Sequence, residues 1–306
     1  MRNENYILGG GPAGLIAAFY NPDYKIIDKN PMGQLNLPFV PGPRILKVDN
    51  ETERFLYKNN IAYDYKTICV GYSHDGINVV DEADNVFKEN YSQITRGTKK
   101  IEASFLSSGE NQILIFTDPN GEDIYYKLFQ TLADKFKDRT ISANVSTINT
   151  KTQTIGLDET EYKYDNLIST LNINIMFKLL GLQDLGLVAL KKHFVQCSYN
   201  NENDIELAKK YHYVYSTDGI YTRKTYFKDY IVYEFVQPYA EISDTPTVYG
   251  NKVLKHINNI PIQINNSIDF RNIQGIELVG RFAQWNHSIK ANEIIAKYER
   301  QISRNI

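Results

Sequence analysis

The chain has 306 residues, of which 42% are hydrophobic and 23% are charged, and its net charge is −2 at pH 7. This composition is ordinary for a globular protein, and the small charge provides no bulk field to attract nucleic acid or an anionic membrane. The two cysteines, Cys69 and Cys197, are far apart and no segment is apolar enough to span a bilayer, so we expect a soluble, cytoplasmic protein without a metal site.

The first elements in chain order are a strand, a glycine-rich turn, a helix and a second strand. The strand is the apolar run Tyr6-Ile7-Leu8, and residues 12–20 favour a helix because they are rich in Ala and Leu. Residues 24–28 form the second strand, which ends in Asp28. Between the first strand and the helix, the run Gly9-Gly10-Gly11-Pro12-Ala13-Gly14 satisfies G-x-G-x-x-G, the pattern of a dinucleotide-binding turn.

The three glycines of the motif each have a physical role in such a site. Gly9 permits the tight turn, Gly11 lets a pyrophosphate approach the backbone, and Gly14 lets the helix pack closely on the strand. The start of the helix offers N–H groups to the phosphates, and Asp28 would accept hydrogen bonds from ribose hydroxyls. Asp28 lies only fourteen positions after Gly14, which predicts a first helix shorter than usual.

The next part of the chain predicts further helices and short strands. Residues 51–58 form a helix that Asp49 or Asn50 caps, with Glu53 placed for a capping box, and residues 61–106 predict strands and loops. A turn at residues 118–121 leads into an amphipathic helix whose apolar face carries Ile124, Leu128, Leu132 and Phe136. We then expect a β-meander of three short strands, a buried strand and a short helix, at residues 140–142, 145–149, 153–157, 164–169 and 174–180.

The last third predicts an antiparallel sheet and a return to α/β structure. The antiparallel strands are expected at residues 211–216, 221–227 and 231–236. A strand at residues 276–279 enters Gly280, and a helix begins near Asn286 with an apolar side formed by Ala291, Ile294, Tyr298 and Ile302. We therefore predict an α/β protein: a discontinuous Rossmann-type FAD-binding domain (1–60, 118–180 and 265–306) with an inserted β-rich substrate-binding subdomain (61–117 and 181–264).

Four segments carry a resemblance to a known family, in the family's order. They are the glycine turn continued by Leu15-Ile16-Ala17-Ala18; residues 28–34 and 42–46; residues 144–148 with 164–170, where the chain reads Tyr-Asp-Asn-Leu-Ile-Ser-Thr; and residues 275–286 around Gly280-Arg281. In these segments the sequence resembles the flavin amine oxidase superfamily. That group includes UDP-galactopyranose mutases, protoporphyrinogen oxidases and the flavin-free GDP-dissociation inhibitors. The closing segment is most similar to the mutase branch, whereas the doubled glycine usual after the acid is single here, at Gly33.

The resemblance implies that FAD is the cofactor. It places the backbone of Val145 at the adenine and Thr170 where the chain returns to the sheet beside the cofactor, and it points the N-terminus of the last helix at the flavin pyrimidine. The residues expected to contact FAD are Gly9, Gly11, Pro12, Ala13, Gly14, Asp28, Lys29, Gln34, Arg44, Val145, Thr170, Gly280, Arg281, Asn286 and Ser288.

For the chemistry, flavins supply the reactive atoms and the protein orients the substrate. His287, Arg281 and Tyr226 are the candidate catalytic residues, because the first two lie beside the expected flavin and Tyr226 lies in the expected substrate sheet. Arg44 and Arg223 are further candidates for binding an anionic substrate, since the guanidinium fork suits phosphate and carboxylate. Tyr213, Tyr215 and Tyr221 also lie in the substrate sheet, and strand alternation turns about half of such tyrosines away from a cleft.

Three functions are open at this point. The first is an FAD-dependent oxidoreductase of the amine oxidase type that takes a hydride from a C–N or C–C bond of a small substrate. The second is a mutase-like isomerase that acts on a nucleotide sugar with reduced FAD. The third is a non-enzymatic scaffold like the GDP-dissociation inhibitors, against which the intact glycine turn and Asp28 argue. The expected partner is a small molecule, an amine or a nucleotide sugar, with no clear nucleic-acid surface.

Overall fold

The computed structural model describes residues 4–30, 45–94, 111–235, 247–264, 268–286 and 288–304. In these ranges the strands are β1 (Glu4–Leu8), β2 (Tyr24–Ile27), β3 (Leu46–Lys47), β4 (Asp64–Ser73), β5 (Gln112–Thr117), β6 (Thr140–Ile141), β7 (Val145–Asn149), β8 (Thr154–Leu157), β9 (Thr160–Ser169), β10 (Ala189–Cys197), β11 (Tyr213–Ser216), β12 (Arg223–Tyr226), β13 (Ile231–Phe235), β14 (Thr247–Val248), β15 (Asn251–Ile264), β16 (Asn272–Ile273) and β17 (Ile276–Leu278). The helices are α1 (Pro12–Tyr20), α2 (Asn50–Lys58), α3 (Asn85–Ile94), α4 (Ile124–Lys135), α5 (Ile173–Leu179), α6 (Glu202–Lys210) and α7 (Ala291–Arg304).

The smaller of two sheets is the Rossmann-type unit. Its parallel strands lie in the order β6-β2-β1-β9-β17, with β16 antiparallel at the edge and β7 and β8 joined to β9. Alternate residues of β1 point to opposite faces, as the pleat requires. Ile7 packs among α1, α2, α4 and α7, whereas Tyr6 and Leu8 pack on the other face with α5 and the β7–β8 hairpin.

The larger sheet is mixed and has the order β14-β15-β10-β13-β12-β11-β4-β5-β3. Strands β10 to β13 pair antiparallel, while β11 pairs parallel with β4. Arg223 is opposite both Glu234 and Tyr215 in the register, so these three side chains share one face of the sheet. The neighbouring Lys224 pairs with Tyr233 and faces the other way.

Several expectations from the sequence are confirmed. Helix α1 spans residues 12–20, the turn at Asp118–Gly121 leads into α4, and the antiparallel strands β11 to β13 form where they were expected. In α4, Ile124, Leu128 and Leu132 are fully buried, as the amphipathic pattern indicated. The mixed α/β fold with a Rossmann-type sheet is likewise confirmed.

Residues 140–142 were wrongly assigned to the meander. Strand β6 pairs in parallel with β2, because the chain leaves α4 through a short 3-10 turn and enters the sheet beside β2. Arg139 in that turn holds this crossing, since its guanidinium donates to the carbonyls of Ala18 (3.0 Å) and Tyr24 (3.2 Å). The meander consists of β7, β8 and β9 instead.

The last helix begins later than expected, at Ala291. Trp285 has φ of 50° and the Asn286 N–H donates to the Arg281 carbonyl, so residues 281–286 turn before any helix can start. Ile302 is 41% exposed, contrary to expectation. The buried side of α7 passes through Glu299 instead, whose carboxylate accepts hydrogen bonds from the Tyr20 hydroxyl and the Lys58 ammonium.

Two smaller corrections concern the segment after residue 48. Thr52, not Glu53, occupies the third position of α2, and its N–H donates to the Asp49 side chain, while the Glu53 carboxylate accepts from the Tyr63 and Tyr65 hydroxyls. The region 61–106, expected to hold only strands and loops, also contains α3. The division into domains stays a prediction; β3, inside segment 1–60, pairs with β5 of the larger sheet.

None of the helices described is long and apolar enough to cross a membrane.

Candidate functional site

The ends of the parallel strands bring the predicted cofactor residues to one edge of the smaller sheet. Gly9 follows β1, Asp28 follows β2, Thr170 follows β9, and Gly280 comes two residues after β17. Because β1 connects outward to β2 on one side and pairs with β9 on the other, this edge lies at a topological switch point, where open α/β sheets bind their ligands.

The glycine turn is built for close approach. Gly9 has φ of 102°, which disfavours any side chain, and a Cβ on Gly14 would lie 1.8 Å from the Gly9 carbonyl oxygen. These two glycines therefore let the turn close and α1 pack on β1. At Gly11, in contrast, an added Cβ would meet no described atom within 4 Å. The middle glycine thus faces open space.

The N-terminus of α1 differs from those of four other helices. Helices α2, α4, α5 and α6 each begin after an Asp or Asn whose side chain accepts a hydrogen bond from the first turn. The residue before α1 is Gly11, which has no side chain to do this, and Pro12 follows at the first helical position. The first-turn N–H groups of α1 consequently remain available to an anion.

Asp28 is held against this turn. One carboxylate oxygen accepts the Gly10 N–H, and the other accepts the Asn30 N–H at 2.7 Å. Each oxygen keeps a second lone pair, so the carboxylate can still accept from a ribose hydroxyl.

Thr170 and Gly280 close the other side of the turn. The Thr170 hydroxyl donates to the carbonyls of Leu8 (3.0 Å) and Gly9 (3.2 Å). Gly280, with φ of 98°, lies so near α1 that a Cβ there would be 2.8 Å from the Ala13 Cβ. The closing Gly-Arg segment is therefore packed directly on the first turn of α1.

Four other residues expected at the cofactor lie within the described ranges. Val145 is half-buried at the start of β7, and Lys29 is exposed beside Asp28. The N–H (3.0 Å) and the hydroxyl (2.7 Å) of Ser288 donate to the side-chain oxygen of Asn286. The remaining predicted residues, Gln34, Arg44 and His287, lie outside the described residues.

Trp285 lies near the end of the closing Gly-Arg segment. Its side chain is fully buried in the core that contains Leu8, Met176 and Leu278. The indole N–H has no hydrogen-bond partner within the described residues.

A charged cluster on the larger sheet joins Arg223, which the sequence indicated as a candidate for binding an anion, to Lys192 and Glu234, which it did not single out. Lys192 of β10 and Arg223 of β12 both contact the Glu234 carboxylate of β13, one on each oxygen. Burial raises the pKa of Glu234, but the charges of Arg223 and Lys192 outweigh this effect and bring the pKa to about 2. Glu234, the one charged residue in the apolar run of β13, was the sequence feature that could have indicated this cluster. A charged residue in such a run is buried only when it is paired.

Of the predicted catalytic residues, the structure describes Arg281 and Tyr226. Arg281 follows Gly280, and its positive charge acts on Lys192 of the larger sheet. Tyr226 lies on the opposite face of the larger sheet from Arg223, where its hydroxyl donates to the buried Asp204 carboxylate at 3.1 Å. Tyr213 and Tyr215 share the face of Arg223, and Tyr221 packs on the face of Tyr226.

The parallel sheet, with the glycine turn at its edge, defines a Rossmann-type α/β fold. No protein-family model matches the sequence, and no curated protein matches it. Among solved structures, the chain is similar to reduced UDP-galactopyranose mutase (TM-score 0.65, 10% identity, covering 99% of this chain and 96% of that one) and to a fatty acid isomerase from P. acnes that produces CLA (0.65, 10%, 99% and 98%). It is also similar to a putrescine oxidase variant redesigned in cofactor binding (0.62, 11%, 98% and 98%). The chain thus shares its fold with these proteins.

Proposed function

We propose that the chain is an FAD-dependent oxidoreductase of the amine oxidase type. The observation that carries this proposal is the open, uncapped N-terminus of α1 at Gly11, with the Asp28 carboxylate held beside it. This pair matches the two polar ends of an adenosine diphosphate, since one part attracts phosphate and the other accepts from ribose.

The residues present fit FAD in detail. The N–H groups of Ala13 and Gly14 would hold the pyrophosphate, Asp28 the ribose and the backbone of Val145 the adenine. Thr170 and Gly280 would border the chain between adenosine and flavin, and Arg281 would lie near the flavin end. Bound FAD supplies the acceptor for a hydride, so the protein itself has to orient the substrate and exclude water.

The similar solved structures support this proposal. A UDP-galactopyranose mutase, a fatty acid isomerase and a putrescine oxidase redesigned in cofactor binding share this fold. The substrate under this proposal is a small molecule oxidised at a C–N or C–C bond. FAD held by these residues would supply the acceptor for that hydride, and oxygen or another acceptor would then take up the electrons.

The test is to titrate the purified protein with FAD and to measure binding by the flavin absorbance spectrum. We expect stoichiometric uptake, and we expect Gly11→Ala to weaken the affinity by about tenfold, because the methyl group occupies the approach of the pyrophosphate. Asp123→Ala, which removes the cap of α4, is a control for mild destabilisation away from the turn and should leave the affinity unchanged. A protein that takes up no FAD would support the non-enzymatic scaffold instead.

A mutase-like isomerase is the second candidate, and the Lys192–Glu234–Arg223 cluster favours it because nucleotide sugars are anionic. Anaerobic mixing with amines separates the two: bleaching of the flavin by an amine supports the oxidase. Conversion of UDP-galactose only after reduction with dithionite supports the isomerase.

A further inference from the structure

The cluster of Lys192, Arg223 and Glu234 has no role in holding the cofactor proposed above. We propose that this cluster, together with Arg281 and Lys290, binds an anionic group of the substrate, a carboxylate or a phosphate. This inference rests on the proposed function, because that function makes the anion a part of the substrate. The binding of an anion itself can be measured without FAD.

The charge balance of the cluster is the first argument. In the contacts on the larger sheet, one carboxylate is shared by two cations, and the Glu234 side chain is only 2% exposed. Charged groups away from water are stabilised by opposite charges. Two cations that share one carboxylate leave one positive charge unbalanced, which a second anion can neutralise. Arg223 keeps 19% of its side chain exposed, so that anion can reach it from solvent.

The hydrogen bonding of Arg223 is the second argument. Its Nη2 donates to Glu234, but its buried Nε has no hydrogen-bond partner within the described residues. An unsatisfied buried donor is costly, and a guanidinium offers donors arranged for a second oxyanion. Tyr91, Tyr213 and Tyr215 surround this group, with the rings of Tyr91 and Tyr215 5.3 Å apart at their centroids.

The position of the cluster is the third argument. Arg281 follows the glycine that packs on α1, and its Nε donates to the carbonyl of Ile289, the residue before Lys290, at 3.4 Å. Burial lowers the pKa of Lys192, Glu234 opposes this effect, and the charges of Arg223 and Arg281 lower the pKa further. Desolvation likewise lowers the pKa of Lys290, Glu293 opposes it, and Arg281 and Arg223 add to the lowering. The cluster therefore extends from buried Lys192, through the segment after β17, to the exposed Lys290. An anion bound here would lie between the two sheets, beside the closing segment of the cofactor site.

The test uses inorganic phosphate and acetate as probes of FAD-saturated protein, with binding measured by calorimetry and by perturbation of the flavin spectrum. We expect saturable binding of at least one probe, weakened about tenfold in Arg223→Gln and in Lys290→Gln. Lys290 is exposed, so the second variant tests the proposal even where the first does not fold. Lys209→Gln, which removes an exposed cation paired with Glu206 on α6, should bind the probes as the wild type does.

The proposal is overturned if neither probe binds saturably, or if the wild type and Lys290→Gln bind the probes equally. Tighter binding of putrescine than of both anions would also overturn it. If the protein takes up no FAD, the proposed function fails, and the same comparison of variants in FAD-free protein still decides the anion site. In FAD-free protein, phosphate can also bind at the glycine turn. That binding is distinguished from binding at the anion site because Arg223→Gln and Lys290→Gln leave its affinity unchanged.

Discussion

Gly280 and Ala13 lie in contact at the start of α1, although 267 positions separate them in the sequence. A Cβ on Gly280 would lie 2.8 Å from that of Ala13, and Gly280 has φ of 98°. The contact joins the closing Gly-Arg segment to the glycine turn. The two segments of the proposed cofactor site therefore pack directly on each other.

Gly280→Ala should lower the free energy of unfolding by about 1–3 kcal/mol, because it adds backbone strain to a steric clash. The double variant Gly280→Ala with Ala13→Gly removes the clash and leaves the strain. We expect the double variant to recover part of the stability and of the FAD affinity that Gly280→Ala loses. Urea unfolding and FAD titration of both variants measure the recovery. A double variant that is no more stable than Gly280→Ala would show that the contact is unimportant.

Gly14→Ala and Gly11→Ala should separate packing from cofactor binding. Gly14→Ala places a Cβ against a carbonyl oxygen of the turn and should cost about 3 kcal/mol of stability. Gly11→Ala meets open space, and as an N-cap change it should cost at most about 1 kcal/mol while it weakens FAD binding. Thermal unfolding without and with FAD provides the comparison, and equal stability losses in the two variants would contradict it.

Glu234→Gln should destabilise the fold by about 3 kcal/mol, since it leaves the buried Lys192 and the half-buried Arg223 without their carboxylate. The matched control is Glu277→Gln, which breaks the more solvent-accessible ion pair with Lys297 and should cost less than about 1 kcal/mol. Urea denaturation at neutral pH measures both. A loss in Glu234→Gln as small as in the control would mean that the cluster does not depend on this carboxylate.

His212→Gln should make the stability less sensitive to acid. Burial, with a contribution from the charge of Lys66, lowers the pKa of His212 from 6.5 to about 4, so the folded state resists a proton that the unfolded chain accepts. The contribution of His212 to stability is complete above pH 6.5 and is lost as the pH falls from 6.5 towards about 4. The slope of unfolding free energy against pH in this window should be shallower in the variant. His74→Gln, at an exposed position, is the matched control for the substitution itself.

Local elements were the part of this structure most accessible from sequence. The strand, turn, helix and second strand of residues 4–28 follow one another directly, and their periodicity and glycine positions are set by neighbours in the chain. The same holds for α4, whose apolar residues recur along one helical face. Errors occurred where a distant partner decided the outcome, as for β6, which pairs with β2 across more than a hundred positions.

The sequence by itself determined the glycine turn, the acid after β2 and the Rossmann-type class, because these depend on spacing within a short segment. Only the tertiary structure decided which face of the larger sheet is turned towards the cofactor unit. Strand alternation says that Arg223 and Tyr226 point to opposite sides, but not which side meets Arg281. That choice depends on how two sheets built from distant segments pack together, and it places Arg223, Lys192 and Glu234 near the proposed site and Tyr226 away from it.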